Sequence, residues 1–258
     1  MSPKRSLMGK RIAMVVITVA VVEIGVWSYF TNTWIKDAEI IKLLRANRIA
    51  EARTALNDDD DWAGLMSKIE SAHDPALVQA AFNVQFEHWY SPDEDTNYPY
   101  AEHPEIIARL LALGAAPRFE NLLRATGDGD SKTAWLLLRA GVPAWQAGSE
   151  DTPLANASYW GDIKLAAELL RRGADVNQPR TDGWRPVLAA AWSDHAYCVQ
   201  FLLDHGADVT LPFEEYEGHI EPIWKVIQER AALGEKAAWN VVSARIPSLH
   251  GTGKNLTP

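Results

Sequence analysis

A short motif returns about every 33 residues along this chain, and a period of that length admits few folds. Arg171-Arg172-Gly173-Ala174-Asp175-Val176-Asn177 comes back as Asp204-His205-Gly206-Ala207-Asp208-Val209-Thr210. Fainter copies sit at Leu113-Gly114-Ala115-Ala116 and Arg139-Ala140-Gly141-Val142. A unit of this size cannot bury its apolar face alone, so successive copies must stack and share a core. A solenoid of helix pairs is the expected result.

The third copy states the pattern most fully, as Thr152-Pro153-Leu154-Ala155-Asn156-Ala157-Ser158-Tyr159-Trp160-Gly161-Asp162 followed by an apolar segment and Gly173. Thr152 can cap the free amides at a helix start, and Pro153 sits where a missing N–H costs nothing. Leu154 and Ala157 face the neighbouring copy. Gly161 lets the chain turn, Leu165, Leu169 and Leu170 form the apolar face of a second helix, and Gly173 is placed to end it. In this form the copy resembles an ankyrin repeat, T-P-L-H-x-A-A-x-x-G-H with a following helix and G-A-D-V-N. The resemblance covers roughly residues 37 to 246, with its strongest motifs from Thr152 to Thr210. It implies an all-α ankyrin-repeat solenoid that binds another protein through its groove and loop tips, with no catalytic activity and no cofactor.

The fourth copy keeps the spacing through Arg185-Pro186-Val187, Ala190-Ala191, Asp194-His195 and Gly206, but has Arg185 for the capping threonine and Asp194 for the turn glycine. Cys198 falls where Leu165 stands one copy earlier, so it reads as a small buried hydrophobe. His195 takes the histidine position of the resembled pattern, which implies a structural role. The second copy runs through Glu120-Asn121-Leu122, Ala125, Gly129-Asp130 and Gly141. Its Gly127-Asp128-Gly129-Asp130-Ser131 lacks the full set of oxygen ligands for calcium and reads as an inter-helix turn. The first copy starts near Pro75 with Leu77, Ala80 and Ala81, and its second helix runs from Pro104 to Gly114. An inserted loop near 82–103 separates the two. Residues 73–210 thus hold the repeats. Residues 37–72 form an N-terminal helical cap turning at Asn47, 211–246 a C-terminal helical cap restarting at Glu221-Pro222-Ile223-Trp224, and 247–258 a flexible tail.

Ahead of the repeats, residues 1–11 are basic and Ile12 to Phe30 form an apolar run interrupted only by Glu23. Nineteen residues give about 28 Å of helix, enough for a bilayer core. Trp27, Tyr29 and Phe30 occupy the place where a signal peptidase needs small residues, so 12–30 reads as an uncleaved transmembrane anchor. Lys4, Arg5, Lys10 and Arg11 precede it, which leaves the N-terminus cytoplasmic and the repeats outside, in the periplasm of a Gram-negative bacterium or the extracellular space. Two accounts of Glu23 stay open: contact with a partner helix, or placement near the outer interface.

Of 25 basic and 34 acidic residues, five basic and one acidic lie in the first 36, so the rest of the chain carries an excess of 13 acids. That charge disfavours nucleic acid and favours a basic partner. A single cysteine excludes an intrachain disulfide framework. No metal-ligand spacing, Walker loop, G-x-G-x-x-G or nucleophile elbow is present, and Asp58 to Asp61 read as a helix entrance before Trp62.

The candidate partner-binding residues are aromatic and acidic. Phe86, Trp89, Tyr90, Asp93, Glu94, Asp95, Tyr98 and Tyr100 lie in the insertion, where a long loop inside compact repeats points to recognition. Trp145 and Trp184 lie in loops. Tyr159 and Trp192, with Trp160 beside the former, end the first helices of their copies, a place that the resemblance puts along the concave groove. For each aromatic two readings stand, an interface anchor or a filler between imperfect repeats; the loop's alternative is self-packing. Together these features suggest a membrane-anchored receptor, with a periplasmic immunity protein that neutralises a toxin or secreted effector as the specific expectation. The alternatives are an envelope scaffold or stress-response factor, a eukaryotic membrane protein of the same family, and a hydrolase using concave-face carboxylates.

Overall fold

The computed structural model describes residues 37–48, 51–52, 55–56, 62–86, 103–147, 149, 151–216, 219–233 and 236–249. The basic N-terminus, the apolar run with Glu23, the acidic run Asp58 to Asp61, the insertion from 87 to 102 and the tail beyond 249 lie outside the described residues. No helix among those described is long and apolar enough to cross a membrane.

The chain divides into two compact units. The first contains α1 (37–45), short helical stretches at 51–52 and 55, α2 (Trp62–Ala72) and α3 (Pro75–Val84). Asn47 turns the chain with φ 55°, a left-handed conformation asparagine tolerates. Ile40, Leu44, Leu65, Met66, Ile69 and Leu77 fill its core, each at most 2% exposed. Asp37, itself buried, accepts a 2.7 Å bond from Lys68 Nζ, which ties the start of α1 to α2. Asp74 caps α3 by accepting from Ala76 N and Leu77 N, with Pro75 at the first helical position.

The second unit carries α4 (Pro104–Ala112, its last residue assigned to the first unit), then three helix pairs: α5 (Phe119–Gly127) with α6 (Ser131–Arg139), α7 (Pro153–Tyr159) with α8 (Ile163–Arg171), and α9 (Pro186–Trp192) with α10 (Ala196–Asp204). The two helices expected to pair as the first copy, α3 and α4, therefore fall in different units. First helices stack in one row, α5 on α7 on α9, and α8 meets α10 in the other. The register is visible in the core. Thr133, Leu165 and Cys198 share one position, Ala134, Ala166 and Val199 the next, and Leu137, Leu169 and Leu202 a third, all at most 2% exposed. Thr133 is the odd member: its buried hydroxyl has no hydrogen-bond partner.

Helix ends follow the local chemistry. The Thr152 hydroxyl accepts from Ala155 N at 3.1 Å, whereas Arg185, standing at the same place in the next copy, makes no side-chain cap. Side chains then tie copy to copy. Asn156 donates to Leu123 O and Thr126 Oγ1, Arg172 donates to Leu138 O at 2.7 Å, and Asn177 donates to Gly206 O while accepting from Asp208 N. The Arg172 tie also involves Glu168, whose carboxyl is lowered to about 2 by hydrogen bonds from Arg171 and Arg172.

The C-terminal cap corrects the all-helical expectation. Residues after Thr210 form an antiparallel hairpin, β1 (Pro212–Tyr216) with β2 (His219–Pro222), in register Pro212↔Pro222 and Phe213↔Glu221. Phe213 points inward while Pro212 and Glu214 stay exposed, the period-two pattern of a half-buried strand. Glu221 and Pro222, expected to open a helix, end β2 instead. The cap is completed by α11 (Ile223–Leu233), packed on α9, and α12 (Lys236–Leu249), packed on α10.

Candidate protein-binding edge

The turns inside the helix pairs build one edge of the second unit. Each turn must satisfy the amides that open the second helix. Asp130 accepts from Thr133 N at 3.1 Å and Asp162 from Leu165 N at 3.0 Å; Asp162 also receives the Ser131 hydroxyl. A side chain of the following copy then covers each turn. The Trp160 indole N–H donates to Gly127 O at 2.9 Å, and its ring lies so close that a Cβ on Gly129 would meet it at 3.0 Å. His195 sits over Gly161, where an added Cβ would come within 2.8 Å of the imidazole. This is the structural role expected of His195.

Tyr159 and Trp160 are 42% and 50% exposed and meet edge to face, with ring centroids 5.5 Å apart. Every other described residue of α7 is buried. Rigid aromatic rings of this size make good interface anchors. Trp145, 45% exposed, lies in a separate loop beside Gly173 and makes no ring contact with this pair.

Trp184 and Trp192 have different surroundings. Their rings pack 4.8 Å apart, Trp184 sets its edge on Phe213 of β1 at 6.3 Å, and the Arg230 guanidinium lies 3.4 Å from the centre of Trp192. Both tryptophans are half-buried and join the fourth copy to the C-terminal cap. Phe86 belongs to the core of the first unit, 6% exposed and 5.1 Å from Phe82, so it offers no free face. Trp89, Tyr90, Asp93, Glu94, Asp95, Tyr98 and Tyr100 lie outside the described residues.

Two features are not legible in the repeat pattern. Asp194, in place of the turn glycine, holds φ 54° and accepts from Ala238 N at 2.9 Å, thereby capping the start of α12. Arg230 covers Trp192 from 38 residues away.

No group of three or more His, Cys, Asp or Glu able to hold a metal occurs among the described residues. Among the described residues the two carboxyls with shifted acidity are both lowered, Glu168 by hydrogen bonds from Arg171 and Arg172 and Asp204 by hydrogen bonds from Gln200 and then Arg245; an acid catalyst needs the opposite. Cys198 is buried, and burial pushes its thiol up to about 11. Its contribution to stability is complete below the ordinary value of 9.0 and is lost as pH rises towards about 11. The folded protein is expected to resist iodoacetamide at pH 8 and to be alkylated at this single cysteine once urea unfolds it. Mass spectrometry reads both states.

Stacked helix pairs, capped at each turn and bearing exposed aromatics on one edge, define a repeat scaffold for protein recognition. Residues 122–212 match the family model for ankyrin repeats (3 copies). Related sequences include Ankyrin repeat and KH domain-containing protein mask-1 of Caenorhabditis elegans, 31% identical over 40% of this chain. Cortactin-binding protein 2 of Oryctolagus cuniculus is 35% identical over 40% of the chain, and Ankyrin repeat domain-containing protein 29 of Homo sapiens 37% identical over 24%. The matches span only 4%, 6% and 22% of those proteins. All three are animal proteins, so they lend no support to a bacterial source. Ankyrin repeats of the matched kind indicate protein-protein interaction.

Proposed function

We propose that this chain is a membrane-tethered module that holds a partner protein at the outer side of the membrane, using the turn edge that carries Tyr159 and Trp160. The observation behind this is that pair itself: two large, half-exposed rings in edge-to-face contact at the end of an otherwise buried helix, the Trp160 ring bonded to the Gly127 carbonyl. The tether rests on the sequence from Ile12 to Phe30 and on the basic residues before it. Only residues 31–36 separate that run from the buried Asp37. Six residues reach at most about 20 Å, which keeps the first unit close to the bilayer. The insertion residues Trp89, Tyr90, Asp93, Glu94, Asp95, Tyr98 and Tyr100 supply a second contact on the strength of their sequence. Charge favours a basic partner. Neutralisation of a toxin in the periplasm fits that charge and topology, while the related proteins lend it nothing.

The test is photo-crosslinking in intact membranes, with a light-activated residue at position 159 in one variant and at position 197 in another. Tyr197 is 86% exposed on α10 and serves as the control. One partner band from position 159 and none from 197 is expected. A band from 197 alone would sink the edge reading, and externally added protease that spares the repeats would sink the topology.

A further inference from the structure

The chain itself shows what fits an aromatic ring at this place in the repeat. Tyr159 and Trp192 are equivalent, each the last residue of the first helix in its copy, and their helices α7 and α9 pack side by side. In the fourth copy the ring is covered by a guanidinium: Arg230 of α11 lies 3.4 Å above Trp192, and its Nη2 reaches the Trp192 carbonyl at 3.5 Å. In the third copy Tyr159 and Trp160 stand exposed.

Three considerations narrow what would cover them. The indole N–H of Trp160 is already committed to Gly127 O, so Trp160 offers its π face rather than a hydrogen bond. That face attracts cations. The excess of acids beyond residue 36 draws positive charge to the domain, and the Asp130 and Asp162 carboxylates sit in the adjoining turns. Between the two cationic side chains, a planar and weakly hydrated guanidinium stacks on a ring better than a compact ammonium.

We propose that Tyr159 and Trp160 form a docking site for an arginine side chain of the partner protein, repeating between molecules the stack that Arg230 makes on Trp192 within the chain. This rests on the reading of the chain as a protein-binding module and names the chemistry of that partner.

The probes are tetra-arginine, tetra-lysine and tetra-glutamate peptides, added to full-length protein in detergent micelles with its eleven tryptophans ¹⁵N-labelled. The Trp160 indole signal is assigned by its loss in Trp160→Phe. Tetra-arginine is expected to shift that signal saturably and to bind roughly 2- to 5-fold more tightly than tetra-lysine, with the advantage lost in Tyr159→Ala, which keeps the Trp160 bond to Gly127 intact. Arg230→Ala gives an independent check, because uncovering Trp192 should make its indole respond to tetra-arginine as well. Equal binding of the two basic peptides, or a Trp160 signal that does not saturate, would overturn the proposal. Failure here alongside a crosslinked partner at position 159 removes the arginine and leaves the module; saturable binding without any crosslinked partner does the reverse.

Discussion

Gly161→Ala is expected to destabilise the protein by about 2–3 kcal/mol, and His195 should account for a measurable part of the loss. Two separate effects meet at this residue. Its φ of 69° lies in the left-handed region, where a side chain costs about 1 kcal/mol or more. A Cβ there would also stand 2.8 Å from the His195 ring, closer than carbon atoms approach. The contact is not easily relieved, because the nearest atom is His195 Cγ, next to the backbone, and that backbone stands at the N-cap of α10 with its amide held by Ala190 O at 2.9 Å. A double-mutant cycle separates the terms. In a His195→Ala background, Gly161→Ala should cost only the backbone part, about 1 kcal/mol, as read by urea denaturation. Equal costs in both backgrounds would show that the imidazole yields freely.

The neighbouring copy shows why the fold can sometimes do without glycine. Asp194 adopts nearly the same backbone conformation, but its carboxylate caps the start of α12 through Ala238 N. The lost glycine is offset by a tertiary bond. Along the sequence alone, an aspartate at that position looks like a weakened repeat; its compensation lies 44 residues on and becomes visible only when the cap packs. The same distance problem hides Arg230 above Trp192, which turns an expected groove residue into part of the cap. By contrast, Thr152, Pro153 and Gly173 act on residues within one turn of themselves, and each is legible from its type and place.

Phe86 illustrates a signal that spacing carries and loop composition obscures. It stands four residues after Phe82, close to the helical interval, and although it lies in the turn just past the end of α3 the two rings pack at 5.1 Å. Counting it with the insertion gives weight to aromatic content over period. The hairpin at Pro212 escapes for a related reason: a five-residue strand with two adjacent glutamates carries too little alternation to outweigh the helical pattern on both sides. Exposure at Tyr159 and Trp160 can be anticipated from the repeat, because the position closes the first helix. The Gly127 bond that fixes the Trp160 ring cannot, since it depends on how one copy leans on the next.

Leu169→Ala should cost about 3 kcal/mol and loosen the coupling between copies. Leu169 is fully buried on α8, at the position that Leu137 and Leu202 fill in the copies before and after. Removing three carbons there withdraws apolar area and leaves a cavity that close-packed neighbours cannot fill, and both terms weaken the fold. Its backbone has a second task, as the Leu169 carbonyl accepts from Arg172 N and Ala174 N to close the helix. That closure survives in alanine, so the loss measures packing alone. In a solenoid, stability is nearly a sum over copies and their interfaces, and a central copy weakened by this amount threatens cooperativity as well as midpoint. Urea denaturation followed by circular dichroism and by tryptophan fluorescence should therefore shift to lower denaturant, and the two curves should separate where they coincided in the wild type. A cost below about 1 kcal/mol with the curves still superimposed would mean that the neighbouring helices close over the gap, and that the repeats are held together less by the shared leucine row than by the polar ties of Asn156, Arg172 and Asn177.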